Sequence, residues 1–242
     1  MDIPSTHPIH RVYAMLGRFR AQRMRRFLEM FPITDQTRVL DIGGALGTWE
    51  HTPVRPRLTL LNIYDRPDGL DAAVTWVKGD ARQMPFNPGD FDVIFSNSVI
   101  EHVGTWDDQR QFAQEIRRLQ SPFWIQTPDR YFPIEPHALG LGVQFLPRAW
   151  QAPYARFLSL RGLMTIGTPG ALRQTLDDTR LLSHHELETL FPGTPIWRET
   201  VLGLSKSLVA YQTAEHLAHL MQAPLAPVNR ESPRTYPSHR EG

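Results

Sequence analysis

The sequence contains no cysteine. Disulfides, zinc–thiolate centres and cysteine nucleophiles are therefore excluded, and a disulfide-stapled secreted fold is argued against. Long apolar runs are missing too, since no stretch reaches the roughly 20 residues of a membrane span. Neither sign of charge dominates: 26 Lys and Arg face 25 Asp and Glu, a formal net charge of +1. That balance gives no general pull toward nucleic acid or a lipid surface, which argues against both as partners. The first residues, Met1 to Leu16, hold no apolar signal core followed by a small-residue cleavage site, so the expected location is cytoplasmic. What is present is 242 residues, 41% of them hydrophobic, enough for one sizeable core or a core plus a small cap.

The helical period runs from His10 to Phe31, with Val12, Met15, Leu16, Phe19, Phe27 and Leu28 available for an apolar face and Pro32 as the stop. Six arginines lie on this helix (Arg11, Arg18, Arg20, Arg23, Arg25, Arg26) and read as a solvated face, with an anion-binding role as the alternative. Strand-like runs follow at Arg38–Ile42, Leu58–Ile63, Val74–Val77, Phe91–Ser96 and Phe123–Thr127. Each is short, β-branched or aromatic, and bounded by Gly, Pro, Asp or Asn. Gln109–Leu119 reads as a helix between the last two. The alternation predicts an α/β fold, a doubly wound and mainly parallel sheet with helices on both faces.

From Pro128 to Gly170 prolines, glycines and aromatics dominate, with a short helix expected at Ala149–Leu160. The segment reads as a lid-like, substrate-facing insertion after the fifth strand. Its aromatics, Phe132, Phe145, Trp150 and Phe157, fit either a partly apolar ligand or the insertion's own small core. Ser183 and Glu186 form a capping-box pair for a helix to Phe191, and Ile196–Val201 with Ser207–Tyr211 read as a closing strand pair. Residues 1–221 are expected as one domain and 222–242 as a disordered tail.

The most informative segment is Val39-Leu40-Asp41-Ile42-Gly43-Gly44-Ala45-Leu46-Gly47. An apolar strand enters a glycine-rich turn that opens a short helix, interrupted by Pro53 and Pro56. In open parallel sheets ligands bind at this edge. Nicotinamide fingerprints want G-x-G-x-x-G, and the spacing here does not supply it.

In this segment and the runs that follow, the chain resembles the class I S-adenosylmethionine-dependent methyltransferases, over roughly residues 37–127 and more loosely to 211. The resemblance implies a Rossmann-like, seven-stranded sheet and S-adenosylmethionine as cofactor. It places Asp41, Gly43, Gly44, Ala45 and Gly47 around the methionine part, Asn62 at the ribose hydroxyls, and Asp80 with Ala81 at the adenine. Asn62 stands where the family usually has an acid, with Asp65 as a fallback, and Ala45 where it has glycine. Ser96 and Asn97 close the fourth strand and complete the cofactor set, and Glu101-His102 matches a family signature.

Methyl transfer is an in-line displacement at a sulfonium carbon, so the protein mainly supplies proximity and alignment. A base is needed only if the acceptor loses a proton. His102 is one candidate. The other is the proline-stiffened run Thr127 to His137, where His137, Glu135 and Tyr131 are expected to shape the acceptor site with His137 as the base. A connector whose polar groups satisfy one another is the plain alternative. His184, His185, His216 and His219 form no metal pattern, and no metal is expected. The reading is methyl transfer to a small-molecule acceptor, at oxygen or nitrogen. Transfer to RNA or protein, and a non-catalytic module of the same fold, are the alternatives.

Overall fold

A computed structural model describes residues 8–44, 46–49, 52–135, 137, 139–159 and 169–222. The expected strands are all present, each within two or three residues of its predicted ends: β1 (Arg38–Ile42), β2 (Arg57–Asn62), β3 (Thr75–Lys78), β4 (Val93–Asn97) and β5 (Phe123–Pro128). The closing pair is β8 (Ile196–Val201) and β9 (Leu204–Gln212). Together they form a seven-stranded sheet in the order β3-β2-β1-β4-β5-β9-β8, parallel except where β9 pairs with β5 and β8. β1, β4 and β5 are buried along nearly their whole length, as strands covered on both faces should be.

One face is covered by α1 (Pro8–Met30), which buries Phe27; Phe31, just beyond its end, joins Trp49, Leu60, Phe95 and Trp124 in the same cluster. The other is covered by α2 (Trp106–Arg118) and α5 (His184–Leu190), against Leu40, Ile42, Ile94 and Ile125. Both of these helices carry capping boxes, Thr105 with Asp108 and the expected Ser183 with Glu186. The expected alternation is only partly realised. Among the described residues the connections 63–74 and 79–92 hold no helix, because Pro67, Gly69, Pro85, Pro88 and Gly89 break every candidate turn. Trp49 and the long α1 help to cover that part of the sheet.

Between β5 and α5 lie a two-stranded hairpin, β6 (Ile134–Glu135) with β7 (Gly140–Leu141), and two helices, α3 (Arg148–Leu158) and α4 (Pro169–Asp177). Of these only α3 was expected. The small core here is Val143, Ala155 and Leu176, whereas Trp150 and Phe157 are each more than two-thirds exposed, so the aromatics are not its core. α6 (Ala214–Gln222), also unexpected, takes in Gln222, and the tail expected beyond it lies outside the described residues. No described helix is long and apolar enough to cross a membrane.

Candidate active site

The strand order reverses at β1, where β2 and β4 lie on either side and the carboxyl ends of all three strands open a crevice. Gly43 makes the turn out of β1 at φ 67°, its N–H bonded to the Leu61 carbonyl at 2.8 Å. A Cβ there would stand 2.6 Å from Val99 Cγ2. At Gly44 a Cβ would stand 1.9 Å from Asp41 Oδ2, so only glycine lets the backbone pass over that carboxylate. Asp41 itself is 1% exposed and accepts a 2.8 Å hydrogen bond from Trp49 Nε1. Burial pushes its pKa up to about 7, against the pull of the indole donor.

Beside this turn opens a cleft of about 340 Å³, lined by Gly43, Asn62, Asp80, Ala81, Val99 and His102 among others. Its walls are mostly apolar, with an amide at one end and an acid at the other, which suits a flat ring bearing an amine next to a hydroxylated sugar. The acid is engaged already: Arg82 Nε and Nη2 hold Asp80, and Nη1 reaches Asp108 at 2.6 Å. The Arg82 hydrogen bond sets the Asp80 pKa below its ordinary value. An incoming amine must share that carboxylate or displace the guanidinium. Ser98 enters the cleft wall in the left-handed region, φ 59°, held there by its N–H on the Gln126 carbonyl and its Oγ on Gln126 Oε1. Such a conformation costs about 1–3 kcal/mol in a non-glycine residue and persists only where neighbours impose it.

At the β4–β5 end of the crevice a second group of polar residues converges. The one-turn helix Ile100–His102 brings in Glu101 and His102, and the hairpin brings Glu135 and His137. His137 Nδ1 lies 2.8 Å from Glu135 Oε1, and the His102 and His137 rings meet edge to face at 4.6 Å. Ligand atoms of Glu101, His102 and His137 all lie within 4.8 Å of one another. Glu101 is fully buried: Thr127 Oγ1 donates to its Oε2 at 3.0 Å, and its Oε1 has no hydrogen-bond partner among the described residues. Burial pushes Glu101 up to about 7, and burial with the neighbouring His137 lowers His102 to about 4, so His102 is neutral at pH 7. Gln109, also buried, clamps the turn by donating to the carbonyls of Ile100 and Arg180.

With this geometry in view, the family described as a methyltransferase domain matches residues 54–122. Over that stretch the chain is similar to methyltransferase domains. Two relatives match parts of it. A probable chloroplastic tocopherol O-methyltransferase of Oryza sativa subsp. japonica is 36% identical over 61 residues, 25% of this chain and 16% of that protein. The norajmaline N-methyltransferase of Rauvolfia serpentina is 29% identical over 112 residues, 40% of this chain and 37% of that protein. The chain thus spans well under half the length of either. Among solved structures, a possible exported protein of Bordetella parapertussis shares the fold at a TM-score of 0.50 and 14% identity, covering 82% of this chain and 67% of that one.

Gly43, Asn62, Asp80 and Ala81 come together around the cleft, and Gly44 sits beside them. Asp41 lies beneath the turn instead of facing the cleft. Asn97 and Gly47 line a separate cavity of about 690 Å³ under α1, and Ser96 is buried in β4 with its Oγ unpartnered among the described residues. Ala45 lies outside the described residues. The fallback Asp65 is drawn away, paired with Lys78 at 2.8 Å. His102, His137 and Glu135 meet as described. Tyr131 stands apart, 68% exposed, lining another cavity with Arg130, Glu135 and Gln144. Sequence reasoning missed Trp49, Ser98, Val99, Gln126 and Thr127, and did not join Glu101 to His137. Val99, two residues before Glu101-His102, and Thr127, at the head of the run to His137, carried a local signal. The solvated reading of the arginines also fails at Arg23, which is buried: Nη2 holds Glu199 at 2.8 Å and Nη1 holds Asn97 and Gln126.

Proposed function

We propose that this chain transfers the methyl group of S-adenosylmethionine to the oxygen or nitrogen of a small-molecule acceptor. The observation that carries the reading is the cleft at the strand-order reversal, where Gly43, Asn62, Asp80 and Ala81 surround one space at the positions the resemblance gives to the cofactor. The adenosyl part occupies that cleft and the sulfonium methyl points toward the Glu101–His102–His137 group. An O-methyltransferase and an N-methyltransferase among the relatives support a small acceptor, as does the near-zero net charge. Where the acceptor must lose a proton, that group receives it, and His137, oriented by Glu135, is the base of the metal-free protein.

Thermal unfolding with S-adenosylmethionine, S-adenosylhomocysteine and NAD in turn tests the reading. A ligand at 100 times its Kd stabilises the fold by about 2.7 kcal/mol. A rise with the two adenosyl compounds alone is expected. A rise with NAD alone, or with none of the three, overturns it.

A further inference from the structure

We propose that Glu101, His102 and His137 form a binding site for one divalent transition-metal ion, with Glu135 as the positioning residue of His137. The ligand set consists of two imidazoles and one carboxylate, drawn from two elements that meet only in the folded chain. In a metal site of this kind, ligand atoms about 2.0–2.2 Å from the ion lie about 3–3.5 Å from one another. The three groups, already within 4.8 Å, need to close by no more than about 2 Å.

Three observations favour a cation here over a merely packed polar cluster. Glu101 is fully buried, yet its Oε1 has no hydrogen-bond partner among the described residues, and an orphaned carboxylate oxygen in such a place is costly. The second observation is that Glu135 lies on Nδ1 of His137 at 2.8 Å, the carboxylate–histidine pairing that fixes a metal-bound imidazole. Finally, His102 lines the 340 Å³ cleft, so one side of the site is open to a small molecule. Two nitrogen donors with one oxygen select against calcium and magnesium, which take oxygen ligands. With no thiolate, they suit zinc, iron(II), cobalt(II) or manganese(II).

Binding of the ion stands on these side chains alone. Its role rests on the methyl-transfer reading: an ion here coordinates the acceptor's oxygen or nitrogen beside the methyl donor and lowers its pKa, and His137 then serves as ligand in place of base. The site escapes notice in the sequence because α2, β5 and the first hairpin strand separate His102 from His137, and only the hairpin folds one onto the other.

The test uses the untagged full chain, stripped with a chelator, desalted and titrated with Zn(II) and separately with Co(II). Bound metal is measured by elemental analysis and Co(II) by its ligand-field absorption. About one ion per chain is expected, with Glu135→Gln weakening affinity by 10-fold or more. His137→Ala and Glu101→Gln should abolish the stoichiometric site, while His184→Ala, on α5, leaves it unchanged. Circular dichroism of each variant checks folding, and the hairpin residue His137 keeps the test readable if Glu101→Gln does not fold. Failure of the parent chain to bind either ion, or retention of full affinity by folded His137→Ala, overturns the proposal. Adenosyl-ligand binding, followed separately, distinguishes the two readings. Ligand without metal refutes this site alone, and metal without ligand refutes the methyl-transfer reading alone.

Discussion

Strands β4 and β5 carry polar residues on both faces at their carboxyl ends, and the two faces treat a buried acid in opposite ways. Toward α1, Glu199 is surrounded by cations: Arg23 at 2.8 Å and Lys206 at 3.2 Å. Burial alone would raise its pKa, but the two charges outweigh that and hold it below the ordinary carboxylate range. Toward α2 and α5, Glu101 is just as buried but is paired only with the Thr127 hydroxyl, and burial raises its pKa over the smaller opposing pull of His137 and Arg23. Neighbouring residues of one strand, Gln126 and Thr127, serve the two sides. In both acids Oε1 has no hydrogen-bond partner among the described residues, so what separates them is charge: Glu199, neutralised by two cations, is a fastening, whereas Glu101, with no cation paired to it, can take one.

The largest expected effect is at the fastening. Arg23→Met leaves Glu199 buried with one cation fewer and should destabilise the protein by about 4 kcal/mol in urea unfolding. Adding Glu199→Gln to it should recover a large part of that loss. A loss below about 1 kcal/mol for Arg23→Met would remove the distinction between the two faces.

Asp41 extends the comparison to a third buried acid, also without a cation. Because its folded pKa is raised to about 7, the native state holds a proton that the unfolded chain has released. Its burial therefore costs nothing below about pH 4, costs progressively more as pH rises to 7, and costs its full amount above. Asp41→Asn keeps an acceptor for Trp49 and should be more stable than the parent by roughly 4 kcal/mol at pH 8. That advantage should vanish by pH 4 when melting temperatures are compared across pH. A pH-independent difference would mean that the carboxylate is not held as described. Asp41→Ala, which removes the support under Gly44, should weaken S-adenosylmethionine binding by 10-fold or more in calorimetry.

Smaller effects are expected on the open face. In the metal-free protein Glu101→Gln should change stability by no more than about 1 kcal/mol at pH 4, where the native carboxyl is protonated and no ion pair is broken, and should become stabilising as pH rises to 7. His137→Ala should leave cofactor affinity nearly unchanged while turnover falls about 100-fold. Loss of cofactor binding in His137→Ala would place that histidine at the wrong end of the crevice.

The strands were legible because β-branched and aromatic runs bounded by Pro, Gly and Asp carry their own punctuation, and the Ser183 cap because its partner lies three residues away. The hairpin and α4 were not, since two-residue strands have no period to read and the Thr168-Pro169 start signal of Pro169–Asp177 is followed at once by Gly170, in a stretch whose prolines and glycines read as loop. That Gly43, Asn62, Asp80 and Ala81 share one cleft was legible from their places at strand ends. The fate of Arg23 was not: on its helix it looks like five neighbouring arginines, and its partner lies 176 positions away. The same holds for Asp41, whose indole donor was not among the expected residues, and for Ser98, whose left-handed backbone is imposed by β5.

The bond from Arg23 to Glu199 also sets an order of assembly. At about 5–20 residues per second, a ribosome emits Glu199 roughly 9–35 s after Arg23. Throughout that interval the first helix can coil, but its guanidinium has no counter-ion to dock against, and Phe27 and Phe31 have only an incomplete sheet to meet. The helix is thus made well before it can be seated, and a nascent chain halted before β8 presents a greasy, cationic stripe to the chaperones around it.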